Sequence, residues 1–375
     1  EAYIPSYLLP EGPGVVIASS GSTGGRHYCL QPCTHLDQSA FATGEWLKAE
    51  GIDPKQCRIY NPLPMNHVSG LMPWWRSRYW GAEYEWVSSS LIRNPYLLAK
   101  SEKINLKNNK HSILSLVPTQ LKRLLQNPNG IRWLKSFTVI WIGGSPLPRN
   151  LAEISRDNGI RLSPCYGSTE TMAMVTALSP KDFLQGETGV GRSLVDIELR
   201  VSQTNKGLQI RTSRLAIAIW ANGHLKTIKD KHGWWSSGDS AKIIKKKNKT
   251  TLTIKGRIDN AIHSGGETIF PDVLQEQLLK LAKNNQLPID LILLAPIKDE
   301  EWGARIIALV RLDKKNYSQE NTEEIFQQLK ELVKTWVPSK IPRSWYNCHV
   351  LESNSLGKWN LDKWLSWAKE NDPIL

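Results

Sequence analysis

The sequence predicts an α/β fold with a large N-terminal domain and a small, mobile α+β domain at the C-terminal end. Short β-branched runs alternate with helical patterns over the first two-thirds of the chain, as they do in βαβ units. Helical patterns then vanish from about residue 190 to residue 255, which favours a β-rich subdomain. The length of 375 residues exceeds what one ordinary core accommodates, so we expect two or three domains.

The first domain is predicted to contain a largely parallel sheet. Strands are expected at residues 15–18, 58–60, 112–117 and 137–142. Helices are expected at residues 34–48 and from Pro118 onward, because proline is favoured at the first helical position. Right-handed crossovers between such strands would cover both faces of one parallel sheet with helices.

The C-terminal domain is predicted to be a compact α+β unit at residues 260–375, joined to residues 1–255 by a hinge at 256–259. Its expected helices lie at 271–284, at 321–336 and after Asn360, and its expected strands at 289–295, 305–312 and 345–351. Asn321 and Glu324 have the spacing of a capping box at the start of the second helix.

Composition and charge exclude several classes of protein. The chain carries 48 Lys and Arg against 35 Asp and Glu, a net charge of +13, yet the basic residues are scattered and no nucleic-acid-binding motif is present. No apolar run approaches the roughly 20 residues that span a bilayer, so membrane insertion is not expected. The N-terminus does not resemble a signal peptide, and five cysteines without paired spacing are typical of a reducing compartment. We therefore expect a cytoplasmic protein that binds small molecules and no nucleic acid.

A loop rich in glycine and hydroxyl groups follows the first predicted strand. It consists of Ser19, Ser20, Gly21, Ser22, Thr23, Gly24 and Gly25. Glycines let backbone N–H groups turn inward and hydroxyls add further donors, which suits a polyphosphate. The loop is not a Walker A motif, because no Gly-Lys-Ser/Thr sequence follows it. A flexible linker is the alternative interpretation of this segment taken alone.

Five further motifs follow the loop along the chain. They are Tyr166-Gly167-Ser168-Thr169-Glu170, Ser237-Gly238-Asp239, Gly256-Arg257-Ile258-Asp259, Ser264-Gly265-Gly266-Glu267 and Asn354-Ser355-Leu356-Gly357-Lys358. From about residue 19 to residue 358, this set in this order resembles the adenylate-forming superfamily of acyl-CoA ligases, peptide-synthetase adenylation domains and luciferases. The resemblance implies that a small carboxylic acid reacts with ATP and Mg²⁺ to give an acyl-adenylate, which the thiol of coenzyme A then attacks.

The resemblance assigns the metal and nucleotide contacts to single residues. Glu170 corresponds to the Mg²⁺ ligand and Thr169 to a contact with the α-phosphate. Tyr166 and Gly167 would form the adenine pocket, the loop at residues 19–24 would bind phosphates, and Asp239 and Arg257 would bind the ribose. A solvated glutamate at a helix start is the alternative interpretation of Glu170.

The same resemblance gives the C-terminal domain a role in both half-reactions. Lys358 corresponds to a catalytic lysine that reaches the α-phosphate and the carboxylate, with a surface lysine on a polar loop as the alternative. Asp259 corresponds to the hinge about which the small domain rotates between the half-reactions. Gly265 and Gly266 would line the channel for the pantetheine of coenzyme A.

Two features depart from the superfamily pattern. The phosphate loop usually ends in Pro-Lys, whereas Arg26 and His27 occupy these positions here, and either residue could still supply positive charge. Only 18 residues precede the loop, where relatives carry a longer stretch, so we expect either a shortened chain or a lineage without that subdomain. A homodimer is compatible with either case.

Two segments indicate which carboxylic acid is the expected substrate. His67-Val68-Ser69-Gly70 and Ile142-Gly143-Gly144-Ser145 resemble the corresponding segments of o-succinylbenzoate–CoA ligases, which act in menaquinone and phylloquinone synthesis. The resemblance implies that His67 and Ser69 border the aryl-acid pocket and that Gly143, Gly144 and Ser145 lie against the flat ring. A packed histidine at a helix start is the alternative for His67.

The acid of that family carries a second carboxylate, which must find a donor inside the pocket. His67, Ser69 and Arg76 are the candidates, since a buried carboxylate needs a cation or several hydrogen bonds. Another aryl- or fatty-acyl-CoA ligase is the main alternative function, and a non-catalytic nucleotide-binding relative is an alternative from a different class.

Overall fold

The computed structural model describes residues 4, 9–20, 26–100, 111–203, 206–246, 249–258, 261–264, 267–313, 321–353 and 359–375. The chain divides into two compact units, Glu1–Ile254 and Lys255–Leu375, and each has its own hydrophobic core. The division expected from the sequence, after residue 255, lies one residue from this boundary. None of the described helices is long and apolar enough to cross a bilayer.

The two units contain the following elements. The strands of the first unit are β1 (Gly14–Ser20), β2 (Arg26–Pro32), β3 (Cys57–Asn61), β4 (Glu83–Trp86), β5 (His111–Leu116), β6 (Val139–Ile142), β7 (Leu162–Ser168), β8 (Ala173–Ala177), β9 (Arg192–Ser193), β10 (Glu198–Val201), β11 (Gly207–Arg211), β12 (Ala218–Ala221), β13 (His224–Lys226), β14 (Trp234–Lys246) and β15 (Lys249–Arg257), the last of which runs into the second unit. Its helices are α1 (Cys33–Ala49), α2 (Val68–Trp80), α3 (Ser89–Arg93), α4 (Pro95–Lys100), α5 (Pro118–Leu125), α6 (Pro128–Lys135), α7 (Arg149–Asp157) and α8 (Pro180–Leu184). The second unit contains β16 (Ile262–Ser264), β17 (Glu267–Ile269), α9 (Pro271–Asn284), β18 (Ile289–Asp299), β19 (Gly303–Leu312), α10 (Thr322–Val333), β20 (Trp345–Asn347) and α11 (Leu361–Lys369).

The central element of the first unit is a seven-stranded sheet in the order β4-β3-β5-β6-β7-β8-β9. Strands β4, β3, β5, β6 and β7 are parallel, and β8 and β9 extend the sheet antiparallel at one edge. Side chains of β6 pack alternately into two hydrophobic clusters. Ile140 and Ile142 belong to one cluster, and Val139 and Trp141 belong to the other. The sheet is therefore buried on both faces, and the predicted α/β class is confirmed.

The first predicted strand does not join this sheet. β1 pairs antiparallel with β2, and both belong to a separate four-stranded sheet in the order β1-β2-β12-β13. Ser20 lies opposite Arg26, so only residues 21–25 connect the two strands. A connection this short joins antiparallel neighbours, because a parallel pair needs a crossover of about a dozen residues or more. The expectation that residues 15–18 form part of the parallel sheet is wrong for this reason.

The segment from residue 190 to residue 254 contains strands and no α-helix among its described residues. These strands do not form a single layer. β10, β11, β14 and β15 make a four-stranded sheet, β12 and β13 extend the sheet of β1 and β2, and β9 ends the seven-stranded sheet. The β-rich stretch thus links three sheets of the first unit.

The second unit is built on a sheet in the order β17-β16-β19-β18, with β20 parallel to β19. Ile306 and Ala308 of β19 lie in the hydrophobic cluster shared with α9 and α10. Ile307 and Leu309 lie in a second cluster, which contains Trp364 of α11. Helices therefore cover both faces of this sheet, and the alternation along β19 supplies an apolar side chain to each face.

The capping box expected at the start of α10 is wrong. Asn321 occupies the N-cap position but makes no side-chain hydrogen bond to the helix. Its backbone has φ −100° and ψ 7°, whereas an N-cap side chain reaches the first free N–H groups from an extended backbone. The helix also ends at Val333, three residues before the predicted end at 336.

Candidate active site

Several predicted site residues meet at the carboxyl ends of the parallel strands. Gly143, Gly144 and Ser145 directly follow β6, next to β7. Gly143 is half-buried, whereas Gly144 and Ser145 are exposed. Gly144 has a φ of +84°, a left-handed conformation that glycine adopts without strain. Ligands of open parallel sheets bind at this edge, so the position agrees with a substrate-binding role.

Thr169 and Glu170 lie in a tight turn between β7 and the antiparallel β8. Glu170 is only 8% exposed, so the alternative of a solvated glutamate at a helix start is wrong. Met172 and Ala173, at the end of the turn, have φ angles of 48° and 74°. Non-glycine residues in this region cost about 1–3 kcal/mol each and persist where the surroundings hold them. The turn must therefore be fixed by contacts from other elements.

Arg214 supplies such contacts, and sequence reasoning missed it. The side chain is fully buried and its guanidinium donates to the backbone carbonyl of Thr171. It also donates to the carbonyls of Met172 at 3.2 Å and Met174 at 2.6 Å, while its Nε pairs with Asp196 Oδ2 at 2.6 Å. No sequence pattern marks this arginine, because the carbonyls lie 40–43 residues away along the chain.

Gln31 on β2 holds the same turn from a second direction. Its Nε2 donates to the carbonyl oxygens of Thr169 at 2.9 Å and Glu170 at 3.3 Å. Its Oε1 lies 2.8 Å from Nδ1 of His35, whose pKa is lowered by burial and, to a smaller extent, by Lys229. Backbone and side-chain contacts from distant parts of the chain thus determine where the Glu170 carboxylate lies.

The Glu170 carboxylate contacts both strands of the β1–β2 hairpin. Its Oε1 lies 2.9 Å from Nε2 of His27 and accepts a hydrogen bond from Ser19 Oγ at 3.5 Å. Burial raises the pKa of Glu170, but hydrogen bonds from His27, from its own backbone and from Ser168 outweigh burial and leave the pKa below its ordinary value. The carboxylate is therefore ionised at neutral pH, as a ligand of Mg²⁺ must be.

Tyr166 on β7 and Asp239 on β14 lie together, although 73 residues separate them in the chain. The phenolic Oη donates to Asp239 Oδ2 at 2.5 Å, and both side chains are half-buried. Ser237 Oγ accepts a hydrogen bond from the Asp239 N–H at 3.2 Å, which fixes the backbone beside the carboxylate. The residues predicted to contact adenine and ribose are thus neighbours.

Strand packing by itself requires glycine at position 167. A Cβ atom here would lie 2.0 Å from the carbonyl oxygen of Ala173. We expect Gly167→Ala to lower the free energy of unfolding by about 3 kcal/mol, because the backbone of β7 or β8 must move. Gly159→Ala is the matched control, since that site is open but has a φ of +66°, and its cost should be roughly 1 kcal/mol. Urea denaturation of both variants tests this, and equal stabilities would contradict it.

His67 and Ser69 lie at the start of α2, and both are exposed. The alternative of a packed histidine is therefore wrong. His67 is the N-cap residue of the helix and makes no side-chain cap bond. Gly70 is needed for packing, because a Cβ atom on it would lie 2.1 Å from the carbonyl oxygen of Pro64.

Arg76, further along α2, is the unusual residue of this region. It is only 3% exposed, and its guanidinium lies 5.1 Å from the centre of the Trp141 ring. Its Nε and one terminal nitrogen have no hydrogen-bond partner within the described part of the chain. Burial lowers the pKa of Arg76 to about 10, so the side chain stays charged at neutral pH. A buried cation in this state needs an anion.

Cys165 connects Arg76 to the glycine segment after β6. Its thiol donates to the carbonyl of Ile142 at 3.4 Å, and a Cβ atom on Gly143 would lie 3.0 Å from its sulfur. Burial raises the pKa of Cys165 to about 12, against the opposite effect of the Arg76 charge. Arg76 and Gly143 therefore both lie near Cys165.

Some predicted site residues lie outside the described ranges, and the structure does not test them. They are Gly21, Ser22, Thr23 and Gly24 of the phosphate loop, the hinge residue Asp259, the channel residues Gly265 and Gly266, and Lys358. Ser20 ends β1, and Arg257 ends β15 in the second unit. Their contacts with a nucleotide stay predictions.

A family profile and curated relatives match much of the chain. Residues 4–212 match the AMP-binding enzyme family. The chain is 32% identical over 251 residues to the 2-succinylbenzoate–CoA ligase of Escherichia coli (strain K12). This alignment covers 67% of the chain and 49% of the relative, so the chain spans about half the length of that protein.

Solved structures share the fold. The o-succinylbenzoate CoA synthetase (MenE) from Bacillus subtilis, in complex with the acyl-adenylate intermediate OSB-AMP, has a TM-score of 0.74 at 22% identity, covering 93% of this chain and 68% of that one. Wild-type E. coli MenE with a bound m-phenylether-linked analogue of OSB-AMS has a TM-score of 0.66 at 26% identity, with 94% and 69% covered. Since the family match extends over more than half of its residues, the chain belongs to the AMP-binding enzyme family.

Proposed function

We propose that the chain is an ATP-dependent acid–CoA ligase that converts 2-succinylbenzoate to 2-succinylbenzoyl-CoA, a step of menaquinone or phylloquinone synthesis. In the first half-reaction a carboxylate oxygen attacks the α-phosphorus of ATP, and pyrophosphate leaves. In the second, the thiol sulfur of coenzyme A attacks the acyl carbon, AMP leaves, and the thiol proton passes to solvent. The similarity to the E. coli 2-succinylbenzoate–CoA ligase supports this choice.

The first half-reaction brings an anion against a polyanion, so the site must supply positive charge and orientation. The ionised Glu170 would hold Mg²⁺, a hard cation that neutralises phosphate charge. Tyr166 and Asp239, which lie side by side on β7 and β14, would orient adenine and ribose. Thr169, in the same turn as Glu170, would contact the α-phosphate, and Lys358 would add its charge there.

The buried side chain of Arg76 is the observation that favours 2-succinylbenzoate as the acid substrate. Arg76 is only 3% exposed, and two of its guanidinium nitrogens have no hydrogen-bond partner among the described residues. The free-energy cost of removing this charge from water is therefore not compensated. A carboxylate matches the guanidinium plane with two parallel hydrogen bonds, so a bound acid anion would remove this cost. Because Gly143 and Arg76 both lie near Cys165, an aromatic ring against Gly143 could present its carboxylate to Arg76.

Substitution of Arg76 tests this assignment. We expect Arg76→Met to lower kcat/KM for 2-succinylbenzoate by about 30-fold or more, since a carboxylate would enter the pocket unpaired. The matched substrate is 4-oxo-4-phenylbutanoate, which is the same acid without the ring carboxylate. In the unaltered protein it should react more slowly than 2-succinylbenzoate, and Arg76→Met should leave its kcat/KM nearly unchanged or raise it. Pyrophosphate release with each acid, ATP and Mg²⁺ measures both values.

Arg78→Met is the control variant, because Arg78 is exposed two residues further along α2. It should alter neither acid's kcat/KM. An equal loss for both acids in Arg76→Met would mean that Arg76 supports the fold and not the ring carboxylate. A preference of the unaltered protein for benzoate or octanoate over 2-succinylbenzoate would remove the quinone-pathway function and leave a different acid–CoA ligase.

A cytoplasmic location is part of the same proposal. All five cysteines are free thiols, and a reducing compartment keeps them in that state. Coenzyme A, the second substrate, is itself a thiol. The homodimer stays a prediction, which the oligomeric state in solution would test.

A further inference from the structure

Three side chains of different chemistry converge beside the turn of Glu170. His27 and Cys29 are two residues apart on β2, so their side chains point to the same face of that strand. An imidazole nitrogen of His27, the sulfur of Cys29 and a carboxylate oxygen of Glu170 all lie within 4.8 Å of one another. Cys29 is completely buried, and Glu170 and His27 are largely covered.

The combination of donors discriminates among metal ions. A thiolate and an imidazole are ligands for Zn²⁺ and similar borderline ions, whereas Mg²⁺ takes oxygen ligands. Bonds of about 2.0–2.3 Å in a tetrahedral site separate the ligand atoms by roughly 3.3–3.7 Å. The His27–Glu170 separation of 2.9 Å and the 4.8 Å limit of the cluster bracket that range, so side-chain adjustments of about 1 Å would suffice.

Charge balance also favours such an ion. When the metal ion binds, the Cys29 thiol releases its proton to solvent. The resulting thiolate and the Glu170 carboxylate neutralise a divalent cation, while the neutral imidazole adds no charge. A metal complex with no net charge avoids most of the penalty that burial imposes on separated ions. Lysine, usual in the superfamily at the position of His27, could not complete this donor set, because an ammonium group has no lone pair.

We infer that His27, Cys29 and Glu170 form a binding site for Zn²⁺ or a chemically similar divalent transition-metal ion. The site has three protein ligands, which leaves a fourth position for water or another ligand, as in zinc sites that are not purely structural. It is distinct in chemistry from the Mg²⁺ site of the proposed function and shares with it only the Glu170 carboxylate.

Cobalt(II) titration of the whole, reduced chain tests the site without ATP, acid or coenzyme A. A Cys29 thiolate bound to Co²⁺ gives a sulfur-to-metal charge-transfer band in the near ultraviolet, and tetrahedral Co²⁺ gives strong visible bands. We expect one equivalent to bind, and Zn²⁺ to abolish both sets of bands by displacement, whereas a large excess of Mg²⁺ should not.

Two variants test His27 and Cys29 as ligands, and a third variant is the control. Cys29→Ala should lose the charge-transfer band, and His27→Lys should weaken Zn²⁺ binding by more than the roughly 10–100-fold that loss of an outer hydrogen-bond partner costs. Cys33→Ser, at the half-buried first residue of α1, should keep the band and serves as the matched control. Circular dichroism checks that each variant is folded. If Cys29→Ala does not fold, the Zn²⁺ affinity of His27→Lys still tests the site.

The inference is overturned if the reduced, unaltered protein shows no charge-transfer band, or if the band persists in Cys29→Ala. Because the readout needs no substrate, it is separate from the proposed function. A protein that binds Co²⁺ through Cys29 but activates no acid supports the metal site and contradicts the ligase assignment. A protein that activates acids but shows no charge-transfer band supports the ligase assignment and contradicts the metal site.

Discussion

Glu170→Gln is expected to slow acyl-adenylate formation by about 10²–10³-fold, the usual cost of removing one electrostatic contact with a transition state. The amide keeps the size of the side chain and can still accept a hydrogen bond from His27, but it cannot supply the negative charge that holds Mg²⁺. The Mg²⁺ concentration for half-maximal rate should rise as well. Pyrophosphate release, measured over a range of Mg²⁺ concentrations, gives both quantities.

Glu153→Gln is the control for loss of a negative charge, because Glu153 is exposed and forms a surface pair with Arg149 at 2.7 Å. It should retain the unaltered rate. Thioester formation from supplied acyl-adenylate should be much less affected by Glu170→Gln, since no polyphosphate takes part in that half-reaction. An unchanged rate of pyrophosphate release in Glu170→Gln would exclude Glu170 as the metal ligand.

Arg214→Met is expected to lower the free energy of unfolding by about 3–5 kcal/mol, the cost of breaking a buried ion pair on one side. The substitution takes the arginine donor from the backbone carbonyls of Thr171, Met172 and Met174 and the ion-pair partner from Asp196. The Met172 carbonyl still accepts from Ser39 Oγ at 2.7 Å. Methionine fills a similar volume, so the measured loss reports hydrogen bonds and charge and not an empty cavity. Urea denaturation followed by fluorescence measures it.

Arg149→Met is the matched control, because it removes an arginine from an exposed pair that contributes little to stability. Arg214→Lys provides a second variant if Arg214→Met does not fold. It keeps the charge but reaches fewer carbonyls, so its stability should lie between those of Arg214→Met and the unaltered protein. If Arg214→Met is as stable as Arg149→Met, the turn of Glu170 does not depend on this arginine.

Local sequence patterns were enough to predict β3, β5 and β6 of the parallel sheet. The apolar runs of β5 and β6 fill two cores at once, and such strands carry nearly continuous hydrophobic sequence. β2 could not be recognised in this way, because arginine, histidine and glutamine interrupt it. It is a strand through its pairing with β1 and β12, and the β12 contact spans nearly 190 residues, as between Leu30 and Ala218.

Residues of the candidate site could be predicted from the sequence only where they belong to a recognisable motif. Tyr166, Glu170 and Asp239 were predicted from motifs, and the structure places Tyr166 beside Asp239 and buries Glu170. The supports of that geometry, Arg214 and Gln31, were not predictable, because a single buried arginine or glutamine has no sequence pattern of its own. His27 was predicted only as a charge for phosphate, while its contact with Glu170 depends on how the hairpin folds against the turn.

Arg214 lies between β11 and β12, where the chain passes from one four-stranded sheet to the other, and it binds the backbone at the start of β8 in the seven-stranded sheet. Arg214 thus ties the connection between the two four-stranded sheets to the seven-stranded sheet, and the buried guanidinium loses its carbonyl partners if this connection moves away from β8. We therefore expect the 212–217 connection and the start of β8 to unfold together. A substitution in the 212–217 segment could therefore shift the turn that carries Thr169 and Glu170 without altering either residue. Such a shift would slow the reaction, because catalysis tolerates little displacement of the reacting groups.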